Sequence, residues 1–189
     1  RIVARCESPS APKTPPPPVG NPTIVKVSDR QLLVSGNPFT VKGVAYSPTP
    51  VGENALYDWS IDPNNYNTDI PILKALGINT VRVYRPATQQ AALDAFANNG
   101  IYVIMTYPID DHPDLSDTAN RTEVKNDFLK MVNTWKNHPA ILMWCFGNEL
   151  DLQPNGQDNP AWYSLLQEAA AAAHIADPNH PVTTAHAAT

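Results

Sequence analysis

Residues 138–151 read HPAILMWCFGNELD. The apolar run 140–146 carries no charge and ends at once on Gly147, Asn148 and Glu149. A run this short and continuous predicts a strand buried on both faces, as in parallel sheets covered by helices. The interior of such a strand has no place for an unpaired amide and carboxylate. The open end of a strand, where an active site is built, does.

The same pattern recurs along the chain. TVRVY (80–84), IYVIMTY (101–107) and PVTTA (181–185) are strand-like, and each follows a helical pattern. In 68–77, Ile70, Leu73 and Leu76 repeat every three residues, with Thr68 as cap and Gly77 as stop. An alanine-rich helix is predicted over 88–98, ending at Gly100. Over 122–137 the stripe is Val124, Phe128, Met131 and Trp135, and Pro139 ends it. Over 160–176, Asn159 caps, Pro160 fits the first turn, and Trp162, Leu165, Leu166 and Ala169 face inward. Upstream, TIVKV, QLLV and FTVKGVAY predict a short β-hairpin leading into a strand that ends at Tyr46.

Five strands ending near Tyr46, Tyr84, Tyr107, Glu149 and His186, alternating with helices, define an α/β fold with a parallel sheet. No Gly-x-Gly-x-x-Gly or Gly-x-x-x-x-Gly-Lys loop follows any of them, which disfavours a nucleotide-binding doubly wound sheet. The expected architecture is a TIM-type (β/α)8 barrel, represented by its first five β-α units. Residues 1–22 are a separate Pro-rich linker or tail, including ESPSAPKTPPPPVGNP (7–22), and 23–189 form the partial barrel. Because the chain opens on Arg1, it is expected to be processed, cut from something longer or partly recorded.

Hydrophobic residues at 42% with 16% charged describe a globular chain. A net charge of −5 argues against a nucleic-acid surface, and no apolar run reaches the ~20 residues of a membrane span. Cys6 lies in the polar tail and Cys145 in an apolar run; Cys145 reads as a small buried hydrophobe, so a disulfide between them is not favoured. The Pro-rich tail suggests an extracellular or cell-surface protein, and Asn120-Arg121-Thr122 makes Asn120 a candidate glycosylation site.

In a barrel of this type the chemistry lies at the C-terminal strand ends. The polar residues there are Tyr46, Arg82 with Tyr84, Tyr107, Asn148 with Glu149, and His186. Hydrogen-bonding groups among aromatic walls suit a carbohydrate. Glu149, close to Trp144 and Phe146, is the candidate general acid, its carboxyl raised by apolar neighbours. The competing reading is a helix-capping or salt-bridged glutamate. The loop IDDHPDLSD (109–117) holds Asp110, Asp111, His112, Asp114 and Asp117 but matches no calcium-loop spacing, so no metal is expected. Asp58, Asp62 and Asp69 are expected to be solvated, and His138, before Pro139, structural. No cofactor is implied.

NHPAILMWCFGNE resembles the strand-four signature of family-2 glycoside hydrolases, the β-galactosidase and β-glucuronidase group. TIVKVSDRQLLVSGNPFTVKGVAYSP, DIPILKALGINTVRVY and GIYVI resemble the start of the fungal β-1,3-glucanosyltransferases. The resemblance covers roughly residues 23–186 and implies a retaining enzyme on a (β/α)8 barrel. By it, Glu149 matches the acid/base, Asn148 the residue bonding the sugar 2-hydroxyl, and Arg82 the arginine supporting the nucleophile.

Retaining catalysis needs a second carboxyl group about 5–5.5 Å from the first, which the resemblance places on strand seven. The 189 residues reach only strand five, so they are expected to be inactive alone. Their two exposed sheet edges are expected to be covered by the remainder of the barrel or by other chains. The expected function is a retaining β-glycoside hydrolase or transglycosidase domain. The alternative is a non-catalytic extracellular module, structural or carbohydrate-associated, that uses the barrel as a scaffold.

Overall fold

The computed structural model describes residues 21–54, 56–109, 113–151 and 159–187. Three short antiparallel strands, β1 (Val25–Ser28), β2 (Gln31–Val34) and β3 (Asn37–Phe39), form a small sheet of their own. Five parallel strands follow: β4 (Gly43–Tyr46), β5 (Thr80–Val83), β6 (Tyr102–Tyr107), β7 (Ile141–Asn148) and β8 (Val182–Ala185). They lie in the order β4-β5-β6-β7-β8, so each strand pairs with its neighbour in the chain. Between them run α1 (Pro63–Ala75), α2 (Gln90–Asn98), α3 (Thr118–Trp135) and α4 (Pro160–Ala176).

The strands end where the sequence places them, within a residue or two. The predicted hairpin is instead a three-stranded sheet, because Asn37–Phe39 pairs back onto β2 before the chain enters β4. The order excludes a doubly wound sheet, in which strand order must reverse at a switch point. All four helices share one hydrophobic core with Val81, Val83, Val103, Met105, Ile141, Trp144 and Phe146, and so cover one face of the sheet.

The opposite face is partly closed by the small sheet. Val25, Val34 and Phe39 pack against Tyr102 and Leu142, near the N-terminal ends of β6 and β7, and Phe39 meets Tyr102 edge-on at 5.3 Å. Thr23 Oγ1 donates to the Pro139 carbonyl and Val25 N–H to that of Asn179. That end of the inner face is thereby plugged, and the C-terminal end is left for polar groups.

Helix α1 begins earlier than predicted. Asp62 caps it through Asn64 N–H at 2.9 Å, Pro63 takes the first turn, and Tyr66 continues the Ile70–Leu73 stripe inward. The asparagines 64, 65 and 67 are poor helix formers, and burial of Tyr66 outweighs them. Helix α3 likewise begins at Thr118, with Asp117 accepting from the Ala119 and Asn120 N–H groups. Helix α2 has no cap of its own. Ser60, buried and distant in sequence, accepts from the Thr88 and Gln89 N–H groups at 3.0 and 3.2 Å, and Asp58 accepts from Ser60 Oγ and Thr88 Oγ1. Asp58 and Asp62 are therefore engaged, and so is Asp69, which accepts from the Tyr46 hydroxyl at 2.9 Å, contrary to the solvated state expected of all three. His138 is structural as expected: Nδ1 accepts from Ala140 N–H, which leaves Nε2 to donate to Asp94 at 3.0 Å.

Asp177, just past α4, is fully buried and accepts from Trp144 Nε1 at 2.8 Å, His180 Nδ1 at 2.7 Å and Asn179 N–H at 3.0 Å. Burial alone would raise its pKa; the bonds and charge of His180, then Trp144 and Asn179, outweigh it and hold the carboxyl below its usual range. A group depressed in the folded state contributes stability above its unfolded pKa, near 4, and loses it as pH falls through the folded value. Asp177→Ala is expected to cost about 3 kcal/mol at neutral pH. In urea unfolding, the gap to wild type should shrink below about pH 4; a gap unchanged down to pH 2 would show that the charge is not what matters.

Candidate active site

Side chains of a strand alternate between the two faces, and paired residues on parallel neighbours point the same way. Arg82 pairs with Ala45 and Ile104, on the face away from the helices; on the same face Thr106 pairs with Cys145, and Cys145 in turn with Thr183. On that face Arg82 Nη2 donates to Asn148 Oδ1 at 2.8 Å, joining β5 to the end of β7. The guanidinium carbon also lies 4.8 Å from the centroid of the Tyr84 ring, a cation–π contact.

By simple alternation Asn148 would not face Arg82. Cys145 and Asn148 are three positions apart, an odd step that sends side chains to opposite faces. The ladder between β7 and β8 is irregular there: Cys145 pairs with Thr183 but Asn148 with Ala185, so β7 holds one residue more than its partner. This bulge restores Asn148 to the face of Arg82. Gly147 makes it possible at φ +72, and Glu149 is also left-handed at φ 55. A Cβ on Gly147 would lie 2.4 Å from Trp162 Cη2 and 2.9 Å from Leu150 Cδ1. Glu149 is exposed, and its N–H donates to the Ala185 carbonyl at 2.8 Å.

Trp144 and Phe146 point into the helix-side core. The apolar surroundings expected for the Glu149 carboxyl therefore do not come from these two rings. Phe146 instead lies in a stack, Tyr107 at 6.2 Å on one side and Trp162 at 5.3 Å on the other. That stack forms the support under Gly147.

The structure brings together Arg82, Tyr84 and Asn148, with Glu149 next in the chain. Tyr46 and Tyr107 lie on the helix side. Tyr46 is buried edge-on against Trp59 and Phe96 and donates to Asp69 Oδ2 at 2.9 Å; burial first, then Asp69, push its phenol far above the ordinary value. Tyr107 borders a separate cleft of about 430 Å³ with Arg85, Pro108, Asn120 and Val124. His186 sits past β8, its Nδ1 3.3 Å from Asp151 Oδ2 and its ring stacked on Tyr163. Asn120 lies in the first turn of α3, half-buried, with Nδ2 donating to the Asp114 carbonyl. Cys145 is buried as expected, whereas Cys6, Asp110, Asp111 and His112 fall outside the described residues. Among the described residues no helix is long and apolar enough to cross a membrane.

Asp151, buried beside the site, is not marked by any motif in its own stretch of sequence. Its partners, Ala187 and His186, are distant in sequence, so no local pattern could have shown it.

The fold is thus a parallel α/β sheet with consecutive strand order, with an Arg-Asn pair beside a glutamate at its C-terminal edge. The chain belongs to the glucanosyltransferase family of glycoside hydrolases, family 72, which it matches over residues 20–176. A 1,3-beta-glucanosyltransferase of Candida albicans is 31% identical over 132 residues, 61% of this chain and 20% of that protein. One of Saccharomyces cerevisiae is 33% identical over 124 residues, covering 61% and 25%. A beta-glucuronidase of Canis lupus familiaris is 28% identical over 172 residues, covering 88% and 24%. Among solved structures, the Bifidobacterium dentium beta-glucuronidase shares the fold with a TM-score of 0.69 at 23% identity, over 86% of this chain and 26% of that one. The chain thus spans about a quarter or less of the length of these relatives.

Gly147→Ala is expected to destabilise the domain by about 2–4 kcal/mol, since left-handed backbone and a clash against a stacked ring act together. Chemical denaturation measures it. A loss under about 0.5 kcal/mol would mean that the ring stack yields freely.

Proposed function

We propose that these residues are the first five β-α units of a retaining (β/α)8 barrel acting on β-linked glycans, by hydrolysis or transfer. The observation that carries the reading is the Arg82–Asn148 bond at the C-terminal edge of the sheet. An arginine has only donors, so it fixes the Asn148 amide with Oδ1 toward β5 and leaves Nδ2 to donate to a ligand hydroxyl. The left-handed Glu149 beside it supports the same reading, because strained backbone concentrates where a side chain must be aimed.

In this scheme Glu149 protonates the glycosidic oxygen as the bond to the anomeric carbon breaks. It then takes a proton from the incoming water or sugar hydroxyl. Asn148 holds a hydroxyl of the sugar, and Arg82 with Tyr84 lines the floor. Tyr46 and Tyr107 support the site from the helix side, and His186 borders it across β8. The nucleophilic carboxylate comes from outside these 189 residues, as do the elements that cover the free edges of β4 and β8. In β4, Gly43, Val44 and Ala45 are exposed. The partner is a carbohydrate, and a place outside the cell or on its surface accords with the Pro-rich segment.

In the full-length protein, Glu149→Gln is expected to lower turnover of unactivated β-linked glucan by at least about 100-fold. An aryl glycoside with a good leaving group, which needs little protonation, should be affected far less. The 189 residues alone should release or transfer no sugar. Equal losses on both substrates, or activity from the isolated chain, would overturn the scheme.

A further inference from the structure

We propose that Asp151 is a positioning residue for Glu149, holding the left-handed turn at the end of β7 to the exit of β8. The inference rests on the acid/base reading of Glu149.

Glu149 holds a left-handed backbone conformation that is unfavourable for a residue with a side chain. Such a residue keeps its conformation only where its surroundings over-determine it. One tie is its own N–H, donated to the Ala185 carbonyl at 2.8 Å. The second lies two residues on. The Asp151 carboxylate is buried and bridges to the same exit segment: Oδ1 accepts from Ala187 N–H at 2.9 Å and Oδ2 lies 3.3 Å from His186 Nδ1.

His186 is held in turn against the Tyr163 ring of α4 at 6.0 Å. The start of α4 closes the frame. Asn159 N–H donates to the Asp151 carbonyl at 2.9 Å and Asn159 Nδ2 to that of Leu150 at 3.2 Å. Glu149 is therefore flanked by contacts to positions 185 and 187, and the residues after it are pinned to a helix cap.

A carboxylate suits this place. Asp151 faces a backbone N–H and an imidazole, and both can act as donors while it only accepts. The Ala187 bond, against the opposing effect of burial, holds its carboxyl below the usual range, so it is ionised at neutral pH. Alanine would remove both bridges. Asparagine would keep an oxygen for Ala187 N–H.

The test compares an unactivated β-1,3-glucan oligosaccharide with an aryl β-glucoside in the full-length protein. A misplaced acid harms the first substrate more than the second, whereas general loss of folded enzyme lowers both alike. Asp151→Ala is expected to lower the ratio of the two kcat/KM values at least about tenfold, chiefly through kcat. Asp151→Asn should recover most of that loss, and in a Glu149→Gln background Asp151→Ala should change the ratio no further. If Asp151→Ala does not fold, His186→Ala, at an exposed position, is expected to lower the ratio about threefold. Equal loss on both substrates from Asp151→Ala, or an unchanged ratio in His186→Ala, would overturn the positioning role. Glu149→Gln without substrate selectivity would instead overturn the acid/base reading. Amide exchange gives a separate readout: Asp151→Ala should expose the Ala187 and Glu149 amides while those of β6 stay protected, and retained protection at Glu149 would show that Asp151 does not hold it.

Discussion

Position 147 admits no side chain, and the polar edge of the sheet depends on that. A strand offers its residues to two faces in strict turn, so a bulge is the only way to move a later residue to the other face without breaking the strand. Gly147 provides it, and Trp162 fills the space a methyl group would need. The aromatic stack under the glycine consequently serves the opposite face of the sheet: it fixes where the backbone turns, and so where Asn148 meets Arg82.

The helices are held to this sheet by apolar burial and by polar ties between distant segments. Ser60 caps α2 from the loop ahead of α1, Trp135 donates to the Ala87 carbonyl, and Arg121 joins α3 to α4 through the Ala161 carbonyl and Glu168. The exposed Arg121–Glu168 pair is worth little in itself. Buried ties such as Asp177 with Trp144 and His180 carry more weight, since each partner removed leaves a polar group stranded away from water.

How far the sequence shows all this differs from element to element. The strands are legible because a parallel strand buried on both faces is apolar throughout, as 140–146 is, here with helices on one face and the small sheet over part of the other. The beginnings of α1 and α3 were missed because asparagine- and threonine-rich first turns resemble loops, although Asp62-Pro63 and Asp117 are sound start signals. Tyr46 and Tyr107 face the helices with their cross-strand partners Val83 and Phe146, a facing that depends on the register between strands and not on the sequence of either strand alone. Asn148 is a further case: strict alternation misplaces it, and only the glycine before it hints at the exception. Asp151 acts through partners brought close by the fold, which no local pattern encodes, and so does Asp177 in its bond to Trp144, although His180 and Asn179 lie within three residues of it.

The consecutive strand order also bears on how the domain assembles. Each of the five parallel strands meets a partner one β-α unit away, so pairing can proceed in the order of synthesis, and each closure encloses only one helix and its loops. The small antiparallel sheet does not share this advantage. Its segment precedes the parallel strands in the chain, yet Thr23 bonds to Pro139, 116 residues away, and Val25 to Asn179. This earlier segment is thus among the last parts of the domain to dock, and until it does, Tyr102 and Leu142 remain uncovered.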